Sequence, residues 1–254
     1  MFYKAIELSP KNPSVSYKET KDFIWHFLFT LECNGQILKK YKVIQNKNIL
    51  LYVTTPKSDS LSEQYDSVYV KKDRETIGVY YDMEIKECGI DLESFEYCAC
   101  EKRGALEMQT FRFDIDSVFI CCDCGKPIAL YELPFLEKKG DYGDIQLWQE
   151  NYAAMDLLWM NCLCDRYTGN QRVKHDSALN KQGIQIARSL SKWLDTPVYY
   201  HLECDYGKSI KAEKVDDQQI HVCPECKTRM KRTRFSEDYE IDVCEDCLLS
   251  YTAH

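Results

Sequence analysis

His221-Val-Cys223-Pro-Glu-Cys226 and, with seventeen residues between (227 to 243), Cys244-Glu-Asp-Cys247 are the stretch from which the chain can be read outward. A Cys-x-x-Cys turn aims two sulfurs at one point. Two such turns at this separation match a four-thiolate zinc ribbon, with room between them for one strand out and one strand back. Pro224 stiffens the first turn, and Lys227 and Arg229 follow it, where cations offset thiolate charge. Two disulfides, a redox pair and chance spacing are the competing readings. A redox pair wants a strand-then-helix context that is absent here, and disulfides have no need of paired spacing. The expected ligands of one structural zinc ion are therefore Cys223, Cys226, Cys244 and Cys247. Four sulfurs leave no position for an activated water, so this metal is expected to hold structure and do no chemistry.

The rest of the chain is that of a folded protein: 254 residues, 44% of them hydrophobic and 13% aromatic, with eighteen tyrosines suited to half-buried strands. Its start, Met1-Phe-Tyr-Lys-Ala-Ile-Glu-Leu8, has no long apolar core or cleavage site. No run approaches the roughly 18 apolar residues that span a membrane. A cytoplasmic protein with no membrane partner is expected. In a reducing compartment its fourteen cysteines are metal ligands or small buried hydrophobes rather than a disulfide framework. The formal net charge of -8 repels nucleic acid on average, so any such partner needs a local basic patch.

From the start, Phe2 to Leu8 reads as a strand, and Asp22 to Leu31 as a helix stopped by Asn34-Gly35. Ile37 to Ile44 and Ile49 to Val53 flank a polar turn as a hairpin. Ser60 is a candidate cap for a second helix through Leu61, Tyr65, Val68 and Tyr69, and Ile77 to Ile85 reads as a further strand. The order β-α-β-β-α-β predicts a ferredoxin-like unit. His26, alone on the first helix, is read as structural.

Cys98-Ala-Cys100 and Cys121-x-x-Cys124-Gly125 form a second cysteine-rich region. Gly125 permits the positive φ that a knuckle turn wants. Cys98, Cys100, Cys121 and Cys124 hold a second zinc, or are reduced thiols supporting a β core of Phe111, Phe113, Val118, Phe119 and Ile120; both readings stand. After the Gly140–Asp144 break the period turns helical. Trp148, Tyr152, Met155, Trp159 and Cys162 form one stripe, and Leu179, Gly183, Ile186, Leu190 and Trp193 another, both read as core. Cys162 and Cys164 are read as core or surface thiols. Between the helices, Asp165 to Arg172 is a polar loop, a solvated connection or else a recognition loop through Arg166 and Arg172. Val198 to Leu202 is a strand, and Lys208 to Gln219 a charged linker. The expected fold is α+β: a ferredoxin-like domain over 1–92, a central cysteine-rich β region with two amphipathic helices over 93–217, and a C-terminal zinc ribbon over 218–254.

Within the ribbon, Lys227, Arg229, Lys231, Arg232 and Arg234 place five cations in eight residues. They could track phosphates. The returning segment carries Glu237, Asp238, Glu240, Asp242, Glu245 and Asp246, so a cross-strand charge ladder is the favoured reading. No signature of a hydrolase elbow, zinc protease, phosphate loop or dinucleotide fold occurs, and the histidines are scattered; His221 is at most a support to the metal ligands. The chain is expected not to be an enzyme.

Several stretches together resemble a bacterial family of uncharacterised proteins described as zinc-ribbon-containing and as candidate nucleic-acid binders. They are Asn34-Gly-Gln36, Cys121-Cys-Asp-Cys-Gly125 leading to Ala129-Leu-Tyr-Glu-Leu-Pro134, Trp148-Gln-Glu-Asn-Tyr152 and Met160-Asn-Cys162, followed by Thr196-Pro-Val-Tyr-Tyr200 and both terminal knuckles. Leu163-Cys164-Asp165 departs from the Val-Gly-Glu of that family. The resemblance implies a zinc ribbon and assigns no activity. Two functions follow as expectations. One is binding of a basic protein, as an immunity or antitoxin protein neutralises a toxin; the other is nucleic-acid binding through the ribbon and the Arg166–Arg172 stretch.

Overall fold

The computed structural model describes residues 1–110, 117–135, 142–204, 212–215, 218–236 and 239–252. Packing divides the chain into two compact units, Met1–Tyr97 with Ala129–Tyr142, and Cys98–Ile128 with Gly143–His254. Both mix helices and strands.

The first unit runs β1 (Phe2–Pro10), α1 (Tyr17–Cys33), β2 (Lys42–Gln45), β3 (Ile49–Thr55), α2 (Val68–Tyr80) and β4 (Tyr81–Ile90). Its sheet has the order β2-β3-β1-β4, with every pair antiparallel. Alternation in β1 and β3 sends Ile6, Leu8, Leu51 and Val53 to one face. There they meet Ile24, Phe27, Leu28 and Leu31 of α1 and Val70 and Ile77 of α2 in one buried cluster. The other face keeps Tyr3 and Tyr52 exposed, as an antiparallel sheet covered on one side does. At the end of α1, Gly35 takes φ +72° and lies so close to Leu130 that a Cβ there would stand 2.6 Å from the leucine's own Cβ. Asn34 and Gln36 are buried beside it, donating to the Tyr65 and Ser60 carbonyls (2.7 and 2.9 Å). His26 lies 2.7 Å from Asp73, which also accepts from Thr30, so it joins the two helices as a structural group.

Three boundaries differ from the sequence reading. Ser60 caps no helix; its hydroxyl accepts from Lys57 N–H (2.9 Å) in a turn, and Ser67 starts α2 by accepting from Val70 N–H (3.3 Å). Ile77 belongs to the helical stripe with Val70, and the strand begins only at Tyr81. Ile37 and Leu38 are buried, but the positive φ of Lys40 (+82°) interrupts the run, so pairing of β2 starts at Lys42.

The second unit has a six-stranded sheet in the order β10-β11-β12-β7-β5-β6. These strands are β5 (Leu106–Met108), β6 (Phe119–Cys121), β7 (Val198–His201), β10 (Lys231–Ser236), β11 (Tyr239–Cys244) and β12 (Leu249–Thr252). β7 is parallel to both neighbours, and the outer pairs are antiparallel. A separate hairpin, β8 (Ala212–Val215) with β9 (Gln218–His221), replaces part of the expected linker; Lys208 lies outside the described residues, as do Phe111 and Phe113. Helices α3 (Gly143–Met160), α4 (Asp165–Val173) and α5 (Ala178–Leu194) belong to this unit. α5 presses against β7: a Cβ on Gly183 would meet the Tyr200 ring at 2.1 Å. Trp148 of α3 donates to the Leu179 carbonyl at 3.2 Å.

The expected stripes are core only in part. Trp148 and Tyr152 are buried, whereas Trp159, at the far end of α3, and Trp193 (63% exposed) are exposed to solvent. The predicted division at 217/218 follows composition. Packing groups the residues differently: Leu249 of β12 registers with Tyr200 of β7, so the C-terminal strands share a sheet with the middle of the chain.

Candidate metal centres

In the C-terminal hairpin, β11 delivers Cys244 and β12 leaves just after Cys247, while Cys223 and Cys226 occupy the turn that precedes β10. Cys223 N–H donates to the Thr228 carbonyl (2.9 Å), and Lys227 N–H to the Cys223 carbonyl (3.0 Å), which curls the turn. The residue after each second cysteine is left-handed: Lys227 at φ +63° and Leu248 at φ +54°. The four sulfurs lie within 4.8 Å of one another. Cys226 and Cys244 are 3.6 Å apart, near the roughly 3.8 Å edge of a tetrahedron with Zn–S bonds of about 2.3 Å. Cys223, Cys244 and Cys247 are buried and Cys226 is exposed. The Thr228 hydroxyl and backbone bring the Cys226 thiol down to about 6, while burial pushes Cys244 up to about 11. Of these two thiols Cys226 is the readier thiolate, and a cation bound through Cys244 would have to displace its proton.

The central cysteines converge as well. Cys98, Cys100, Cys121 and Cys124 also place all four sulfurs within 4.8 Å. β6 ends on Cys121, Gly125 N–H donates back to its carbonyl (2.8 Å), and Gly125 takes φ +67°, the same left-handed exit as in the other knuckles. Cys98 N–H donates to the Pro127 carbonyl (2.7 Å), tying the Cys-x-Cys half to this turn. Burial raises the Cys98 thiol, but the Cys100 backbone N–H, Arg103 and the neighbouring thiols outweigh it and bring it down to about 7. Cys122 points elsewhere into the core, and its thiol is pushed up by burial. Of the two readings left open for these residues, the geometry therefore puts four convergent thiols in place of dispersed core cysteines. Each cluster adjoins a short hairpin of the six-stranded sheet, on opposite flanks of it, and each could hold a metal ion.

The basic run is largely engaged. Arg232 donates to Asp242 (2.8 Å), directly opposite in register, and Lys231 and Arg234 face Glu245 and Glu240 at 3.0 and 3.5 Å. Glu237 and Asp238 lie outside the described residues. Lys227 and Arg229 remain exposed. The expected loop Asp165–Arg172 is the helix α4, and its two arginines part company. Arg166 is exposed, whereas Arg172 is held by Asp156 (2.6 Å) and Glu203 and lies 4.3 Å over the Trp159 ring. One turn of helix places Arg172 inward, which a loop reading could not foresee.

Two buried polar groups have no signature in the sequence, because their members come from distant strands. His201 lies 3.1 Å from Glu107, which also accepts from Ser250. His221 Nδ1 lies 2.7 Å from Asp242, and its Nε2 is 3.7 Å from Cys204 Sγ. The His221 ring and Arg232 outweigh burial and hold the Asp242 carboxyl at about 2. This order of thiol, imidazole and carboxylate resembles a nucleophilic triad. Burial, however, pushes the Cys204 thiol up to about 11, so it stays protonated near neutrality. His221 thus supports Asp242 through both its backbone N–H and its ring.

These features define an α+β protein with two four-cysteine clusters. Residues 1–96 match a family described as Domain of unknown function (DUF8589), and residues 102–203 one described as Domain of unknown function (DUF2310). Cys223, Cys226, Cys244 and Cys247 lie beyond both matched ranges. The chain is similar to two proteins of Haemophilus influenzae, each described as an uncharacterized protein. One is 28% identical over 207 residues, covering 76% of this chain and 75% of the relative. The other is 33% identical over 105 residues, 39% of this chain and 47% of the relative, so the match spans about half of that protein. No solved structure matches the chain. No helix among the described residues is long and apolar enough to cross a membrane.

Proposed function

We propose that this chain is a non-enzymatic, zinc-stabilised cytoplasmic protein that binds a macromolecular partner, and that the partner is a basic protein. In this reading zinc fills both four-cysteine clusters, the C-terminal hairpin is a zinc ribbon, and the β-α-β-β-α-β unit with its antiparallel order is ferredoxin-like. Zinc suits four-sulfur sets because it takes thiolates tetrahedrally and needs no open position. The observation that carries the partner class is how the molecule uses its basic strand. Lys231, Arg232 and Arg234 pair with Glu245, Asp242 and Glu240 of their own hairpin. Cations engaged in this way do not track phosphates, and a net charge of -8 draws a basic surface by complementarity. An immunity or antitoxin protein against a basic toxin is the narrower form of the same reading. A tagged pull-down, divided into nuclease-treated and untreated halves, tests it. A stoichiometric basic protein that survives nuclease supports it; nucleic acid retained with no protein after nuclease overturns it.

One observation favours nucleic acid as a second reading. Lys181, Arg188 and Lys192 line a groove along α5 whose other wall includes Glu225, two residues from the exposed Lys227. Arg188 is already bonded to Glu225 (2.6 Å), which leaves the two lysines of that face and the knuckle cations for a phosphate chain. Reversing Lys181, Lys192 and Lys227 to glutamate abolishes RNA or DNA retention if this surface binds it.

A further inference from the structure

Cys162 and Cys164 are both exposed, and both stand at positive φ, +52° and +56°. Cys162 follows α3 in a Schellman turn: its N–H donates to the Trp159 carbonyl (3.0 Å) and Leu163 N–H to the Leu158 carbonyl (2.9 Å). The left-handed residue of that turn is ordinarily glycine. Cys164 precedes α4, where Ser, Thr, Asp or Asn would serve the first-turn amides, and its side chain makes no such bond. Local structure therefore calls for cysteine at neither position. Around the pair, Leu157, Leu158, Trp159, Met160, Leu163 and Tyr167 are exposed, Leu163 and Tyr167 by more than half. Six large apolar side chains are exposed within eleven residues, where a monomer's surface shows scattered ones. Among the described residues, no third cysteine, histidine or acid joins these two thiols in a metal-ligating group. The same chain shows what this spacing can do, since Cys98-x-Cys100 supplies half of a convergent four-sulfur cluster.

We propose that Cys162 and Cys164 are half of a zinc site completed by the same two residues of a second copy of this chain, with the surrounding apolar patch forming the rest of the interface. A two-fold axis lays a surface patch on its own copy, so two exposed thiols become four around the axis. Each thiol releases its proton to solvent as it binds the metal, and no oxidant or reductant is involved. The two left-handed residues hold the sulfurs outward between two helices, where a partner can reach them.

The test is sedimentation of the full chain in zinc-containing, disulfide-reducing buffer, with zinc counted on the same samples. The expected species has twice the 29.9 kDa chain mass. It carries one more zinc per pair of chains than the Cys162→Ser/Cys164→Ser variant, which runs as a monomer with unchanged helix content. Leu163→Asp keeps both thiols and weakens the dimer about tenfold or more by burying a charge in the patch. A wild-type monomer at tens of micromolar chain overturns the proposal. So does a dimer indifferent to the double serine change, or an extra zinc carried by a monomer. The internal clusters are read separately: zinc missing from the double-serine variant as well counts against zinc in the proposed function, not against the bridge alone.

Discussion

In the first unit, β1, β3 and β4 are nine, seven and ten residues long and lie under two helices that share one apolar cluster. In the second, β5 and β6 are three residues each and β7 and β12 four, and the four-cysteine sets sit where these strands begin or end. Long alternating strands bury enough carbon to hold themselves. Short ones do not, and small folds with thin cores are commonly held by a metal or another crosslink. The difference teaches where each unit keeps its stability, and it can be broken deliberately.

Metal removal should divide the units most sharply. A strong chelator, or Cys244→Ser, is expected to abolish hydrogen-exchange protection in 218–252 while β1, β3 and α1 keep theirs. The energy at stake is on the order of 10 kcal/mol for a structural tetrathiolate site. Uniform loss across both units, or none in either, would count against the contrast.

Single side chains sharpen it next. Asp242→Ala leaves buried His221 and Arg232 without their shared carboxylate, and should cost the second unit about 3–5 kcal/mol. Leu28→Ala opens a cavity in the apolar cluster, and should cost the first unit about 2–5 kcal/mol with metal content unchanged. Denaturant melts followed by exchange in each unit check both. A metal loss on Leu28→Ala would show that the units do not divide the work in this way.

The smallest effect concerns pH. Burial lowers the His201 pKa, but the Glu107 carboxylate more than offsets this, so the imidazole titrates above its ordinary 6.5. The charged pair then contributes stability that is complete below pH 6.5 and is lost as pH rises through the raised value. Metal binding strengthens with pH and runs the other way. The informative quantity is therefore the difference between wild type and Glu107→Gln, which should narrow from acid to alkaline pH. A constant difference would remove the pair from the account.

Much of this organisation was legible in the residues. Cys223-x-x-Cys226 and Cys244-x-x-Cys247 announced a convergent set because each turn is local and its sulfurs need only a short strand pair to meet. The β-α-β-β-α-β order was legible too, since periods of two and of 3.6 are local properties. Boundaries failed where one apolar run serves two elements, as at Ile77–Tyr81, or where a positive φ at Lys40 cuts a run. The α4 helix was missed because its sequence is polar, and what anchors it inward is Thr168 and the ion-paired Arg172 rather than an apolar stripe.

By itself the sequence determined which cysteines come in ligand pairs, the net acidity, and the alternation that makes the first sheet. Tertiary structure alone decided that Cys98 and Cys100 meet Cys121 and Cys124, and that the basic strand spends its charge on its own partner. It also decided that Arg172 turns inward while Cys162 and Cys164 stay out. The physical reason is common to all four. Spacing and periodicity act over a few residues, whereas thiol convergence, ion pairing and burial depend on which distant segment the packing brings alongside.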